Sequence, residues 1–157
     1  FSYGSEAFIR TCADLGIDAL ILPDVPFEER DEFAPLCQRY GVDLISLIAP
    51  TSADRVAVIA RQATGFLYTV SSLGVTGVRS QIEADVGEMV RQVRANTQCP
   101  CAVGFGIATP EQARRMAAQA DGVIVGSAIV QLVAQHGRDA APYVADYVRA
   151  MKRAIAP

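Results

Sequence analysis

The chain has 157 residues, 51% of them hydrophobic and 20% charged, which is enough apolar material for the core of one domain and excludes wholesale disorder. Fourteen Lys and Arg against seventeen Asp and Glu leave a formal charge of −3, so no basic field argues for a nucleic-acid partner. No apolar run approaches the roughly 20 residues that span a bilayer, and the N-terminus lacks the basic-then-apolar order of a retained signal peptide.

Hydrophobic residues alternate between two periods along the chain. Phe8, Ile9, Cys12, Ala13 and Leu15 recur at helical spacing after Ser5, which reads as an N-cap, and Gly16 stops that helix. Ala19, Leu20, Ile21 and Leu22 follow as a run apolar on both faces, the mark of a strand in a buried parallel sheet, closed by Pro23-Asp24-Val25-Pro26. The charge run Glu28, Glu29, Arg30, Asp31 and Glu32 reads as a solvated helix start. Phe33, Leu36, Cys37 and Tyr40 then make a helical stripe that Gly41 ends. Leu44 to Ile48 predicts a second strand, stopped at Pro50. Val56, Ile59, Ala60 and Ala63 mark a helix, with Gly65 after it. Phe66 to Val70 predicts a third strand, rich in aromatic and β-branched residues.

A longer loop over 71–79 holds Gly74 and Gly77, and Ser80 with Glu83 predicts a capping box for the helix carrying Ile82, Val86, Met89, Val90 and Val93. Pro100 to Val103 is the fourth strand and runs into Gly104-Phe105-Gly106-Ile107. Thr109, Pro110 and Gln112 spell a helix start, with Thr as cap, Pro at the first position and Gln at the third. Gly122 to Val125 predicts the last strand. Gly126-Ser127 opens a helix through Ala128, Ile129 and Val130, and a final helix carries Tyr143, Val144, Tyr147, Val148 and Met151.

Five strands, each followed by a helix, mean βαβ units and a parallel sheet. No linker or low-complexity tract interrupts them, so residues 1–157 are expected to form a single domain. By length alone an open doubly wound sheet is favoured, because a (β/α)8 barrel takes eight strands and about 250 residues.

The four cysteines follow no zinc spacing. Cys12 and Cys37 sit on apolar helical faces as small hydrophobes, Cys99-Pro100-Cys101 is expected to be structural, and a reduced, cytoplasmic chain fits this usage. His136, the one histidine, lies in a polar stretch and is expected at the surface. Asp24, between two prolines, reads either as a turn residue or as an acid near a site or subunit interface.

Glycines cluster after strands three, four and five: Gly74 and Gly77, Gly104 and Gly106, and Gly126 ahead of Ser127. Glycine lets backbone N–H groups approach an anion, and a helix N-terminus adds its dipole. Three such loops at one sheet edge make a phosphate cup, which barrels commonly build after their last two strands.

Asp24 within Leu22-Pro23-Asp24-Val25-Pro26, then Tyr68-Thr69-Val70-Ser71, Gly74-Val75-Thr76-Gly77, Gly104-Phe105-Gly106-Ile107 and Gly126-Ser127-Ala128-Ile129-Val130 follow one another in an order that resembles the alpha subunit of tryptophan synthase. The resemblance runs from Phe1 to about Lys152 and covers the family's C-terminal three-fifths. It implies an α/β fold, a (β/α)8 TIM barrel of which this chain supplies about strands four to eight. It also implies a lyase of tryptophan biosynthesis, cleaving indole-3-glycerol phosphate to indole and glyceraldehyde 3-phosphate. The family's catalytic Glu and Asp are expected upstream of residue 1, so no catalytic residue is assigned here and the segment alone is expected to be inactive.

By the same resemblance Gly77, Gly106, Gly126 and Ser127 hold the substrate phosphate, and Ile21, Tyr68 and Phe105 line the indole pocket. Thr76 takes part in loop closure, and Pro26 and Gly74 face the partner. Ser72 departs from the family's frequent Arg four positions before that Thr, which bears on loop closure. The implied partner is a beta subunit in an alpha2beta2 assembly, which carries pyridoxal phosphate, while this subunit needs no cofactor, metal, nucleic acid or membrane. Two alternatives stand beside this reading: a non-catalytic half-barrel that binds a phosphate ligand or a beta subunit, and another phosphate-binding barrel enzyme.

Overall fold

The computed structural model describes residues 2–70, 79–104 and 106–156, with only the course of the helix over 79–85. The elements are α1 (Ser5–Asp14), β1 (Ala19–Ile21), a 3-10 turn (Phe27–Glu32), α2 (Ala34–Tyr40), β2 (Asp43–Ile48), α3 (Ala53–Arg61) and β3 (Leu67–Val70). After them come α4 (Arg79–Arg94), β4 (Cys101–Gly104), α5 (Pro110–Ala117), β5 (Gly122–Val123), α6 (Ser127–His136), a second 3-10 turn (Gly137–Asp139) and α7 (Ala140–Ile155).

All four strand pairs are parallel, and the sheet order is β1-β2-β3-β4-β5. That order rules out the doubly wound alternative, which needs a reversal of strand order at a switch point. Right-handed crossovers taken always in one direction put every helix on the same face. The burial alternation agrees. Leu67, Thr69, Cys101 and Val103 are fully buried and belong to the layer formed with α3 and α4 through Val56, Ile59, Val86, Val90 and Val93. Their neighbours Tyr68, Val70 and Ala102 point to the other face and are only half-buried. A parallel sheet clothed by helices on one side alone is an arc of a barrel, and these are five consecutive strands of a TIM barrel.

Local chemistry accounts for the element ends. Gly41 closes α2 at φ +69, where the Val42 and Gly41 amides bond to the Cys37 and Gln38 carbonyls. Thr109 Oγ accepts from the Gln112 amide and the Gln112 side chain accepts from the Thr109 amide, the capping box that the spacing predicts. Asp121 ties three elements together at the opposite edge of the sheet: one oxygen accepts from the Cys101 amide at 2.8 Å, the other from Arg94 of α4 at 3.0 Å.

Several expectations need correction. Ser5 is the first helical residue rather than the cap. Gly4 holds the N-cap position, because the Phe8 amide already bonds to the Gly4 carbonyl, and no side chain caps α1. The charged run forms a 3-10 turn, and α2 begins only at Ala34, because Pro35 lacks an N–H and would clash with a carbonyl four residues back. β5 stops at Val123 rather than Val125. The Ile124 amide still reaches the Val103 carbonyl at 2.8 Å, but its partner strand ends at Gly104. The capping box proposed for Ser80 and Glu83 falls where side chains are not described. Among the described residues no helix is long and apolar enough to cross a membrane.

Candidate functional site

Strand register sets out a lateral row on the inner, helix-free face: Leu47 pairs with Tyr68, Tyr68 with Ala102, and Ala102 with Gly122. One large aromatic ring therefore stands beside two residues with almost no side chain. The result is a slot on the Ala102 side of the Tyr68 ring, with Leu47 on the ring's other side. Apolar walls of this shape suit a flat ring. Ile21 lies on β1 in register with Ile45, two strands from Tyr68 and 44% exposed. Strand β2 stands between it and Tyr68.

Tyr68 is held by a backbone approach. A Cβ built on Gly104 would fall 2.3 Å from the Tyr68 hydroxyl and 2.5 Å from two ring carbons, so the ring lies across the Gly104 main chain. Burial pushes the phenol above its ordinary value, and it remains protonated at neutral pH. Leu47, Ala102, Gly104 and Gly122 were not singled out by sequence reasoning as pocket residues. The available signal was the two-residue period counted outward from Tyr68 and the glycine inside a strand.

Beyond the C-terminal ends of β4 and β5 lie two of the expected phosphate residues. Gly106 is exposed with φ +72, a left-handed conformation that favours glycine. Gly126 is the N-cap of α6, and a Cβ there would meet nothing within 4 Å. Gly126 and Ser127 are both exposed, and no side chain caps α6. The Gly126 carbonyl accepts from the Ile129 and Val130 amides at 2.9 and 3.1 Å, so the helix is well formed behind an open N-terminus. Thr76, Gly77, Gly74, Ser72 and Phe105 lie outside the described residues.

The remaining candidates take structural places. Asp24 is exposed in a turn where the Val25 amide bonds to the Leu22 carbonyl at 3.2 Å. Pro26 is exposed and leads into the 3-10 turn. Cys12 and Cys37 are buried as expected. Cys101 is buried with its sulfur 2.8 Å from Thr69 Oγ, and burial pushes the thiols of Cys37, Cys99 and Cys101 up, away from thiolate chemistry. Among the described residues no group of three or more His, Cys, Asp and Glu is placed to hold a metal. His136 stacks on Tyr143 with ring centroids 3.6 Å apart, fixing the end of α6 against α7.

The sequence model of a family described as "Tryptophan synthase alpha chain" matches residues 1–156. The tryptophan synthase alpha chain of Lactiplantibacillus plantarum is 50% identical over 156 residues, covering 99% of this chain and 59% of that protein. That of Lacticaseibacillus casei is 46% identical over 155 residues, covering 99% and 58%. The chain thus spans 58–59% of the length of these curated relatives. Among solved structures, tryptophan synthase subunit alpha from Campylobacter jejuni superposes with a TM-score of 0.86 at 40% identity, over 94% of this chain and 59% of that one. A chain described with the a2b2 complex of Pyrococcus furiosus superposes with a TM-score of 0.81 at 27% identity, over 96% and 60%. With its five-strand barrel arc, inner slot and strand-end glycines, the chain belongs to the tryptophan synthase alpha chain family.

Proposed function

We propose that this chain forms the substrate-binding side of a lyase that cleaves indole-3-glycerol phosphate to indole and glyceraldehyde 3-phosphate in tryptophan biosynthesis. The observation that carries the reading is the Tyr68 ring laid over Gly104, where β4 ends, with the open N-terminus of α6 following the neighbouring strand β5. A flat apolar ring and a phosphate are the two ends of that substrate. Tyr68, Ile21 and Phe105 line the ring pocket, and Leu47, Ala102 and Gly122 complete it. Backbone groups of Gly77, Gly106, Gly126 and Ser127, with the Ser127 hydroxyl, take the phosphate.

The reaction breaks the bond from ring carbon C3 to the first glycerol carbon. C3 gains a proton, and the adjacent hydroxyl loses one and becomes the aldehyde. Two carboxylates of separated pKa suit this exchange. We assign them to the part of the family's length that residues 1–157 do not cover. Here the chain's own groups bind, orient and exclude water, and Thr76 closes the loop over the site. The same reading makes 1–157 one domain, puts Pro26 and Gly74 on the side facing a pyridoxal-phosphate beta subunit, and places the protein in the cytoplasm.

Ser127→Ala and Ser127→Asp in the full chain test the reading. Loss of one donor to a dianion is expected to raise KM about tenfold with kcat little changed. The Asp variant, with like charges opposed, is expected to abolish saturation. An unchanged KM in both would remove the phosphate assignment. A full chain that binds substrate without turnover would support the non-catalytic alternative instead.

A further inference from the structure

We propose that Tyr147 of α7 is a positioning residue for phosphate binding, its hydroxyl holding the loop after β4 in place against the open end of α6. The proposal rests on the reading that Gly106, Gly126 and Ser127 take the phosphate. Those groups come from two separate connections. They share one dianion only if their N–H groups stay aligned to within about 0.5 Å. The sheet aligns the strand ends: β4 and β5 are paired, and the Ile124 amide donates to the Val103 carbonyl at 2.8 Å. Past those ends each connection is placed by what packs behind it.

Helix α7 packs against both α5 and α6. Tyr143 and Tyr147 lie one turn apart on one face of it, where residues four apart are neighbours. Tyr143 stacks on His136 at the C-terminal end of α6, with ring centroids 3.6 Å apart. The Tyr147 hydroxyl donates to the Ala108 carbonyl at 2.8 Å, two residues beyond Gly106. One helix thus braces both connections. Within the loop, Gln112 Oε1 accepts from the Ala108 and Thr109 amides at 2.9 and 3.0 Å. Those bonds are internal to the loop and its own helix, whereas the Tyr147 bond ties the loop to a separate element. The Tyr147 ring packs against the core, and burial pushes its phenol up, so the hydroxyl is a donor at neutral pH. Ala108 is exposed, so water replaces a lost bond at little cost to folding. Position, more than stability, is what this hydroxyl supplies.

Tyr147→Phe in the isotope-labelled full chain tests the proposal, with inorganic phosphate and indole titrated separately. Phosphate is expected to bind about fivefold more weakly than to the unsubstituted chain, with indole affinity and the thermal midpoint nearly unchanged. In turnover, KM for the phosphorylated substrate is expected to rise about fivefold with kcat little changed. Unaltered phosphate affinity, or a matched loss of phosphate and indole affinity with a lower thermal midpoint, would overturn the positioning role. If the unsubstituted chain shows no saturable amide shifts at Gly106 and Ser127 with phosphate, the phosphate reading itself falls and this proposal with it. Shifts there that Tyr147→Phe leaves unaltered would strike the positioning role alone.

Discussion

Gly104 and Tyr68 occupy one volume that only a glycine at 104 leaves open. Gly104→Ala places a methyl group 2.3 Å from the Tyr68 hydroxyl, and the nearest atoms belong to the ring itself rather than to a flexible chain end. The expected cost is about 1–3 kcal/mol of overpacking, read as a lower urea midpoint. In a Tyr68→Ala background the same substitution has nothing to displace, and its additional cost is expected to vanish. An equal cost in both backgrounds would show that the clash is not the cause. Asp121 carries the second residue-level prediction. The Cys101 amide, and next Arg94, hold its carboxyl below the usual carboxylate range. A depressed folded-state value means stability that is present above the unfolded value near 3.9 and lost as pH falls through the folded value. Unfolding midpoints between pH 5 and pH 2 are expected to fall less steeply in Asp121→Asn than in the parent. Its exposure and screening by solvent keep the difference small.

At the scale of elements, caps and prolines decide where helices begin. Thr109→Ala removes the acceptor for the Gln112 amide and breaks the reciprocal box. It is expected to cost about 1 kcal/mol, seen as a drop in the thermal midpoint, and Thr109→Ser is expected to retain most of the stability. This box was legible because both partners lie within four residues of each other. The N-cap of α1 was misread for a related reason. Serine is the stronger capping type, yet the first helical hydrogen bond starts at Gly4. The late start of α2 was legible in principle from Pro35, but the acidic run ahead of it looked like a helix start by charge. A proline's steric exclusion outweighs a few tenths of a kcal/mol from helix-dipole charges.

For the whole molecule, strand order matters most. Among the described residues β1 pairs only with β2 and β5 only with β4, so each presents an outer edge. Exposed large apolar side chains gather near those edges: Tyr3, Phe8, Leu15, Ile17 and Ile21 by β1, and Val130 and Val133 on α6. Residues 1–157 expressed by themselves are therefore expected to sediment as dimers or larger species that cover edges and inner face. A monodisperse, cooperatively unfolding monomer would contradict this.

The number and type of elements, the glycines at their ends and the family motif order were all determined by the sequence itself. Hydrophobic period and turn chemistry act over a few residues and need no partner. Length and periodicity left an open doubly wound sheet and a barrel arc both open; the family resemblance implied the barrel, and the strand order shows it. That choice lies in which strands pair, and periodicity is silent about pairing. Only the tertiary structure decided that Leu47, Ala102 and Gly122 join Tyr68 in one row. Register across strands is a long-range property, and a slip of one residue would have sent that whole row to the helix face.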